Sequence, residues 1–186
     1  MPNADARIAL VHDYLNQYGG AERVVERFHA LYPQAPVFTS IFAPDQMPAG
    51  YRSWDIRTTF MQRIPHVGRH HQAFLPLYPF AFGLLRLDGY DLVLSCSSAF
   101  AKGVRVPDSA VHVCYCNSPM RFAWDLERYA EREQLSPLVT RLLPPVMARL
   151  RNWDVATSRR IDAIIANSTV VARRIRTYWG RESTVI

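Results

Sequence analysis

The sequence predicts an α/β fold, a doubly wound and mostly parallel sheet with helices on both faces, built as one domain over residues 1–186. Three observations carry that expectation. The strand candidates, such as Ile8–Val11 and the DLVLS run of Asp91–Ser95, are continuous apolar stretches rather than alternating ones, as in strands buried on both faces. Helical patterns separate them from end to end, and parallel strands require such crossovers. A chain of 186 residues that is 49% hydrophobic has both the length and the material for one core.

Each element follows from local signals. After the strand Ile8–Val11, Gly19-Gly20 leads into a helix over Ala21–Leu31, where Val24, Phe28 and Leu31 recur at i, i+4 and i+7. Pro33 stops it. Pro36–Phe42 reads as a second strand because Val37, Phe38, Thr39, Ile41 and Phe42 are β-branched or aromatic. Residues 44–88, rich in proline, arginine and histidine, give an extended segment around Ile56–Phe60 and a short broken helix or two across His70–Leu85. Asp91–Ser95 and Val111–Cys116 are further buried strands. Leu135–Arg160 is helical, capped by Ser136 with Pro137 in its first turn, and kinked or divided at Pro144-Pro145. Ile161–Ala166 is the last core strand, and Asn167-Ser168 caps a helix that Gly180 closes. Thr184-Val185-Ile186 opens another strand, so a longer protein is expected.

Composition excludes several classes. Aromatic residues at 12% and charged residues at 20% do not describe a disordered chain. Arginine and lysine outnumber acids 22 to 16, for a net charge of +6, which favours anionic partners. Most of the excess follows Arg121, where 12 arginines face 7 acids. Cys96, Cys114 and Cys116 form no CxxC pair and read as buried reduced thiols, which fits a cytoplasmic setting. MPNADAR shows no signal-peptide pattern. The longest uncharged apolar run, Ala73–Leu85, has 13 residues against the ~20 that a membrane span needs.

Ligands of open parallel sheets bind beyond the carboxyl ends of the strands, so the loops there are the candidates. Gly19-Gly20 before a helix can bring bare backbone amides to an anion, or can serve as a plain turn. Ser97, Ser98 and Lys102 in SSAFAKG can hold a sugar or phosphate, or a serine can cap a short helix. The CNSPMRFAWD stretch is the most specific, with Asn117, a proline turn, Arg121, Trp124 and Asp125 together. Arginine suits bidentate anion binding and tryptophan suits a sugar face; the alternative is an Arg121–Asp125 pair on an exposed helix. No DxD, HExxH, CxxC or GxSxG occurs, so metal or acyl chemistry has no visible support. His66, His70 and His71 read as surface histidines rather than ligands. Arginines 149, 151, 159, 160, 173, 174 and 176 read as a solvated helix face or one apposed to anionic lipid, without a nucleic-acid signature.

At these loops the sequence resembles the N-terminal, Rossmann-like domain of family 4 retaining glycosyltransferases of GT-B fold. The likeness rests on RIALVHDYLNQYGGAERVVE (Arg7–Glu26), DLVLSCSSAFAKGV (Asp91–Val104), VCYCNSPMRFAWDL (Val113–Leu126) and DAIIANSTVVARRIRTYWGRESTVI (Asp162–Ile186). The resemblance implies two facing domains, the first binding the acceptor and the second, outside these residues, binding a nucleotide sugar. It implies transfer without a metal or other cofactor, and places Gly19 and Gly20 by the donor diphosphate. Asp13, Ser98, Lys102, Asn117, Arg121 and Asp125 are then expected to line the same cleft. Two departures stand out: many relatives carry histidine where this chain has Asn117, and many read SSHAFAKG where it has Ser98. Asparagine cannot exchange a proton near neutral pH.

The resemblance also implies a saccharide or lipid-linked saccharide acceptor at the inner membrane leaflet. The basic, aromatic stretch Arg63–Leu85 is the candidate contact with an anionic membrane surface; otherwise Phe74, Leu77, Phe80 and Leu84 belong to the core. A non-catalytic module binding a phosphorylated ligand or a protein partner is the alternative class.

Overall fold

The computed structural model describes residues 6–186, apart from the side chains of Arg69 and His70. The MPNAD stretch and any His70 contact therefore lie outside the described residues. Among the described residues, seven strands form one all-parallel sheet: β1 (Ile8–His12), β2 (Val37–Thr39), β3 (Ile56–Thr58), β4 (Leu92–Ser97), β5 (Val111–Cys116), β6 (Ala163–Ala166) and β7 (Thr184–Val185). Their spatial order is β3-β2-β1-β4-β5-β6-β7. The chain winds outward from β1 through β2 to β3, then returns to lay β4 on the other side of β1, where Leu10 pairs with Leu94. The direction of winding thus reverses between β1 and β4, the position at which open α/β sheets bind ligands.

Alternate residues of the central strands feed two layers. Leu10, Val37 and Cys96 pack beneath helix α1 (Gly20–Leu31) with Val25 and Tyr51. Ala9, Val11, Phe38 and Val93 face the other way, toward Tyr78 and Phe82 of α3 (Tyr78–Gly83) and Met147 and Leu150 of α7 (Pro144–Ser158). Each layer covers one face, so the strands are apolar on both, as their continuous runs require. Cys114 and Cys116 lie in a third cluster with Val171 and Ile175 of α8 (Thr169–Trp179), and burial pushes the Cys114 thiol up to about 12.

Several boundaries differ from the sequence reading. Strand β2 covers only Val37–Thr39; beyond it Ser40 donates both its backbone N–H and its hydroxyl to the Asp13 carbonyl, and pairing recurs only as an isolated bridge between Leu15 and Phe42. Of the expected core stripe of α1, Val24 and Phe28 pack against the core beneath the helix and Leu31 does not. Val25 and Glu22 are buried, Glu22 turning inward to an ion pair with His12, while Leu31 is 70% exposed. The 135–160 region forms α6 (Pro137–Leu142), capped by Ser136, and α7, with Pro144 in its first turn, where its absent N–H is harmless. Ser168 caps α8, and Gly180 closes it at φ 64°.

Two short helices, α4 (Arg121–Trp124) and α5 (Leu126–Arg132), follow β5 in the stretch read only as a turn with a possible exposed helix; the Asp125 carboxylate caps the second by accepting the Arg128 N–H. Phe80 and Leu84 are 60% and 54% exposed and Leu77 is also exposed, so these three are not core. The inward positions of the same segment are Leu75, Tyr78, Ala81 and Phe82, which fill the layer on that side of the sheet.

Candidate functional site at the switch point

Two adjoining cavities open at the carboxyl ends of β1, β4 and β5. The larger, about 430 Å³, is lined by Arg121, Phe122, Trp124 and Asp125 after β5, by Arg128 and Arg132 on α5, and by Arg174 and Tyr178 on α8. The smaller, about 180 Å³, lies against His12, Gly19, Gly20 and Glu22. Tyr14 and Ser98 border both. The glycine pair and the arginine turn, about a hundred residues apart in the chain, therefore meet at one place.

The floor between them is fixed by Asp13. Its carboxylate, buried at the end of β1, accepts four backbone N–H groups from the loop after β4: Ser98 (2.5 Å), Ala99 (3.1 Å), Phe100 (2.7 Å) and Ala101 (2.6 Å). Charge-assisted bonds of this kind are the strong ones, and here they tie the two strands across the switch point. Asp13 borders the smaller cavity, with its carboxylate committed to these four amides. Its side chain sets the position of Ser98, which does face both cavities.

The glycine loop is held by a second internal pair. His12 Nε2 lies 3.2 Å from Glu22 Oε1, and its Nδ1 lies 3.0 Å from the Cys96 carbonyl, so both ring nitrogens face acceptors. Burial opposes the imidazolium, but the hydrogen bonds at Cys96 and Glu22 outweigh it and hold the His12 pKa well above the usual histidine value. Burial likewise works to raise Glu22, yet its bonds to His12 keep it below the usual carboxylate range. The other Glu22 oxygen accepts the Gly19 N–H at 2.8 Å. Gly19 is thus committed to the helix start, whereas Gly20 is exposed and a Cβ placed on it would meet nothing within 4 Å. The fold itself does not require glycine at position 20.

The remaining expected residues divide. Arg121 and Asp125 are exposed on the larger cavity and form no ion pair with each other among the described residues. Asn117 is half-buried, donating its amide to Cys96 Sγ at 3.2 Å, and lines neither cavity. Lys102 is inside the protein: its Nζ lies 2.9 Å from Asp154 Oδ1 and 2.7 Å from Thr157 Oγ1, between the rings of Trp153 and Trp179. Asp154 Oδ2 in turn accepts the indole N–H groups of Trp179 and Trp124, at 2.7 and 2.8 Å. Trp124 stacks on Tyr178 at 4.4 Å with planes 6° apart, so the buried pair orients a cavity wall it does not touch.

Sequence reasoning missed Tyr14, Arg128, Arg132, Arg174 and Tyr178. The signal for the last two was present: Ser168 caps α8, which sets 174 and 178 on one helical face. The arginines read as a solvated face separate into roles. Arg174 lines the cavity, Arg151 donates to the Ala123 carbonyl at 2.8 Å, Arg176 pairs with Glu182, and Arg149 and Arg173 are exposed. His71, half-buried against Tyr14, faces the Asn16 amide at 3.1 Å, while His66 is exposed.

A parallel sheet whose winding reverses between β1 and β4, with helices on both faces, is a doubly wound, Rossmann-like α/β domain. The profile of Glycosyltransferase Family 4 matches residues 18–186, and the chain belongs to that family. No curated protein and no solved structure matches the chain significantly. Among the described residues, no helix is long and apolar enough to cross a membrane.

Proposed function

We propose that this chain is the acceptor-side domain of a retaining, metal-independent glycosyltransferase that draws on a nucleotide-sugar donor. In this reading a second domain, outside these 186 residues, binds most of the donor and closes over the switch point. The observation that carries the reading is the meeting of the glycine cavity and the arginine cavity across Tyr14 and Ser98. One side suits the donor's diphosphate: Gly20 leaves open space above the first turn of α1, whose free amides and dipole favour negative charge. The other suits a saccharide acceptor, with aromatic walls for sugar faces. As the glycosidic bond to the donor breaks, negative charge grows on the departing diphosphate. Backbone amides fixed beforehand by the His12–Glu22 pair would stabilise that charge without reorganising.

The test is nucleotide-sugar turnover by the full protein, wild type against Gly20→Val and Arg121→Ala. A loss of at least a hundredfold in Gly20→Val and tenfold in Arg121→Ala is expected, and unchanged rates in both would refute the site.

The exposed side chains of Phe60, Leu77, Phe80 and Leu84, with Phe60 and Phe80 in edge contact at 5.8 Å, support an anionic membrane surface as a further partner. Arg63 and Arg86 are exposed in the same segments and supply the charge that attracts such a surface. Sedimentation with anionic vesicles should carry the protein down, and Phe80→Ser should leave it in the supernatant.

A further inference from the structure

We propose that the molecule held in the larger cavity is itself anionic, a saccharide bearing a phosphate or diphosphate rather than a neutral sugar; this rests on the reading of that cavity as the acceptor site. Four guanidinium groups, those of Arg121, Arg128, Arg132 and Arg174, border one space of about 430 Å³. The carboxylate among the lining residues is that of Asp125, and it is partly engaged in capping α5. Arg132 is neutralised by Glu133 at 2.7 Å, and Arg174 makes a long contact of 3.5 Å to Ser118 Oγ. Among the described residues Arg121 and Arg128 have no acidic partner.

A site for a neutral saccharide needs acceptors as well as donors, since every sugar hydroxyl both gives and takes a hydrogen bond. The side-chain acceptors of this cavity are the hydroxyls of Tyr14, Ser98, Tyr129 and Tyr178 and the Asp125 carboxylate that also caps α5, set against four guanidinium groups that carry the charge. Guanidinium groups are donor-only, and their fork matches phosphate oxygens two at a time. Like charges gathered around one space repel one another when it is empty, and an anion relieves that repulsion. The walls formed by Tyr14, Tyr129 and the Trp124–Tyr178 stack leave apolar surface for a sugar ring beside the charged group. The phosphate could be carried by a free sugar phosphate or by a lipid-linked diphosphate, and the same guanidinium chemistry serves both.

The experiment measures binding to the full chain by calorimetry for glucose 1-phosphate, inorganic pyrophosphate and methyl α-glucoside. A parallel arm sediments the chain with phosphatidylcholine vesicles carrying farnesyl diphosphate. Glucose 1-phosphate is expected to bind at least tenfold tighter than methyl α-glucoside. The Arg121→Gln/Arg128→Gln double variant should weaken glucose 1-phosphate and pyrophosphate at least tenfold, while Arg149→Gln/Arg173→Gln, an equal charge change at exposed positions of α7 and α8, leaves both unchanged. Vesicle binding that the double variant abolishes, with weak glucose 1-phosphate binding, assigns the charge to a lipid carrier and also supports the proposal. It is overturned by equal affinity for glucose 1-phosphate and the glucoside, by no binding of any anionic probe, or by loss of pyrophosphate binding in Gly20→Val but not in the double variant. Any of these leaves the glycosyltransferase reading standing, because that reading is judged by donor turnover in the full protein.

Discussion

Lys102 and Asp154 form an ion pair inside the protein, Nζ to Oδ1 at 2.9 Å, with their side chains 1% and 0% exposed. A charge in that position is tolerable only while its partner remains. Lys102→Met leaves the Asp154 carboxylate buried without its counter-ion, and breaking such a pair costs about 3–5 kcal/mol. For a domain of this size each kcal/mol lowers the melting temperature by about 2–4 °C, so a fall of roughly 6–20 °C is expected. Near-ultraviolet circular dichroism followed through a thermal melt checks both stability and the setting of Trp124 and Trp179, which donate to the same carboxylate. A fall of less than 3 °C would show that the pair contributes little.

Two glycines make opposite demands. At Gly103 a Cβ would come within 2.1 Å of Trp153 Cζ2, whose ring packs over Lys102 Nζ in the wall of the buried Lys102 cluster. Gly103→Ala is therefore expected to destabilise the domain by about 1–3 kcal/mol, the usual cost of overpacking. Gly20→Ala should leave stability unchanged or raise it by about 0.5–1 kcal/mol, since alanine is the better residue in a helix and finds open space here. Urea unfolding of the two variants side by side makes the comparison. A destabilised Gly20→Ala would mean that the fold, and not a ligand, asks for the glycine.

Two buried histidines are shifted in opposite directions, which sets a maximum in the pH profile of stability. Burial pushes His112 down to about 4, so it stays neutral when folded but takes up a proton when unfolded below its ordinary 6.5. Stability is thus lost as pH falls from about 6.5 to about 4, by about 3 kcal/mol at 1.36 kcal/mol per pH unit. His12 is held above its ordinary value by its two acceptors, against burial. Its contribution is complete below about pH 6.5 and fades as pH rises through its folded value. Stability should therefore peak near pH 6.5. Urea midpoints between pH 4 and 8, below the range in which thiols and tyrosines titrate, should show the acid limb flattened in His112→Leu and the alkaline limb flattened in His12→Gln. A limb that survives its substitution belongs to other groups.

The architecture was legible in the sequence because its signals are local. Unbroken apolar runs such as IALV identified strands buried on both sides, Ser136 and Ser168 marked helix starts, and Pro144-Pro145 marked a division. The place of the site followed from the same reading, since loops after parallel strands are few. The employment of each side chain was not legible. Asp13, Lys102 and Asn117 are polar residues in the right loops, yet their partners are backbone amides 98–101, Asp154 and Cys96, all distant in sequence and brought near only by strand order. Conversely, Arg128 and Arg174 lie on separate helices and share a cavity because those helices follow β5 and β6, which are neighbours in the sheet. Hydrophobic period placed Val24 and Phe28 against the core, but it could not show that Leu31, at the helix's last position, is exposed or that Glu22 is drawn inward by His12.

Asp13 is where fold and site are coupled, and its substitution tests that coupling. Asparagine keeps the shape of the side chain but offers one carbonyl oxygen and sets an NH2 donor against amides that are themselves donors. Of the four N–H groups from Ser98 to Ala101, two then lose their acceptor in a buried place. Leaving buried donors unsatisfied costs about 1–3 kcal/mol each, so Asp13→Asn is expected to lose about 2–6 kcal/mol in urea unfolding. The loss should also be local: amide hydrogen exchange at residues 98–101 should quicken more than at Val93 or Val113 in the middle of the sheet. Because Ser98 borders both cavities, binding of pyrophosphate should weaken as well, although no atom of Asp13 need touch it. Unchanged exchange at those four amides would show that the loop after β4 is held by its own packing and that the carboxylate serves some other end.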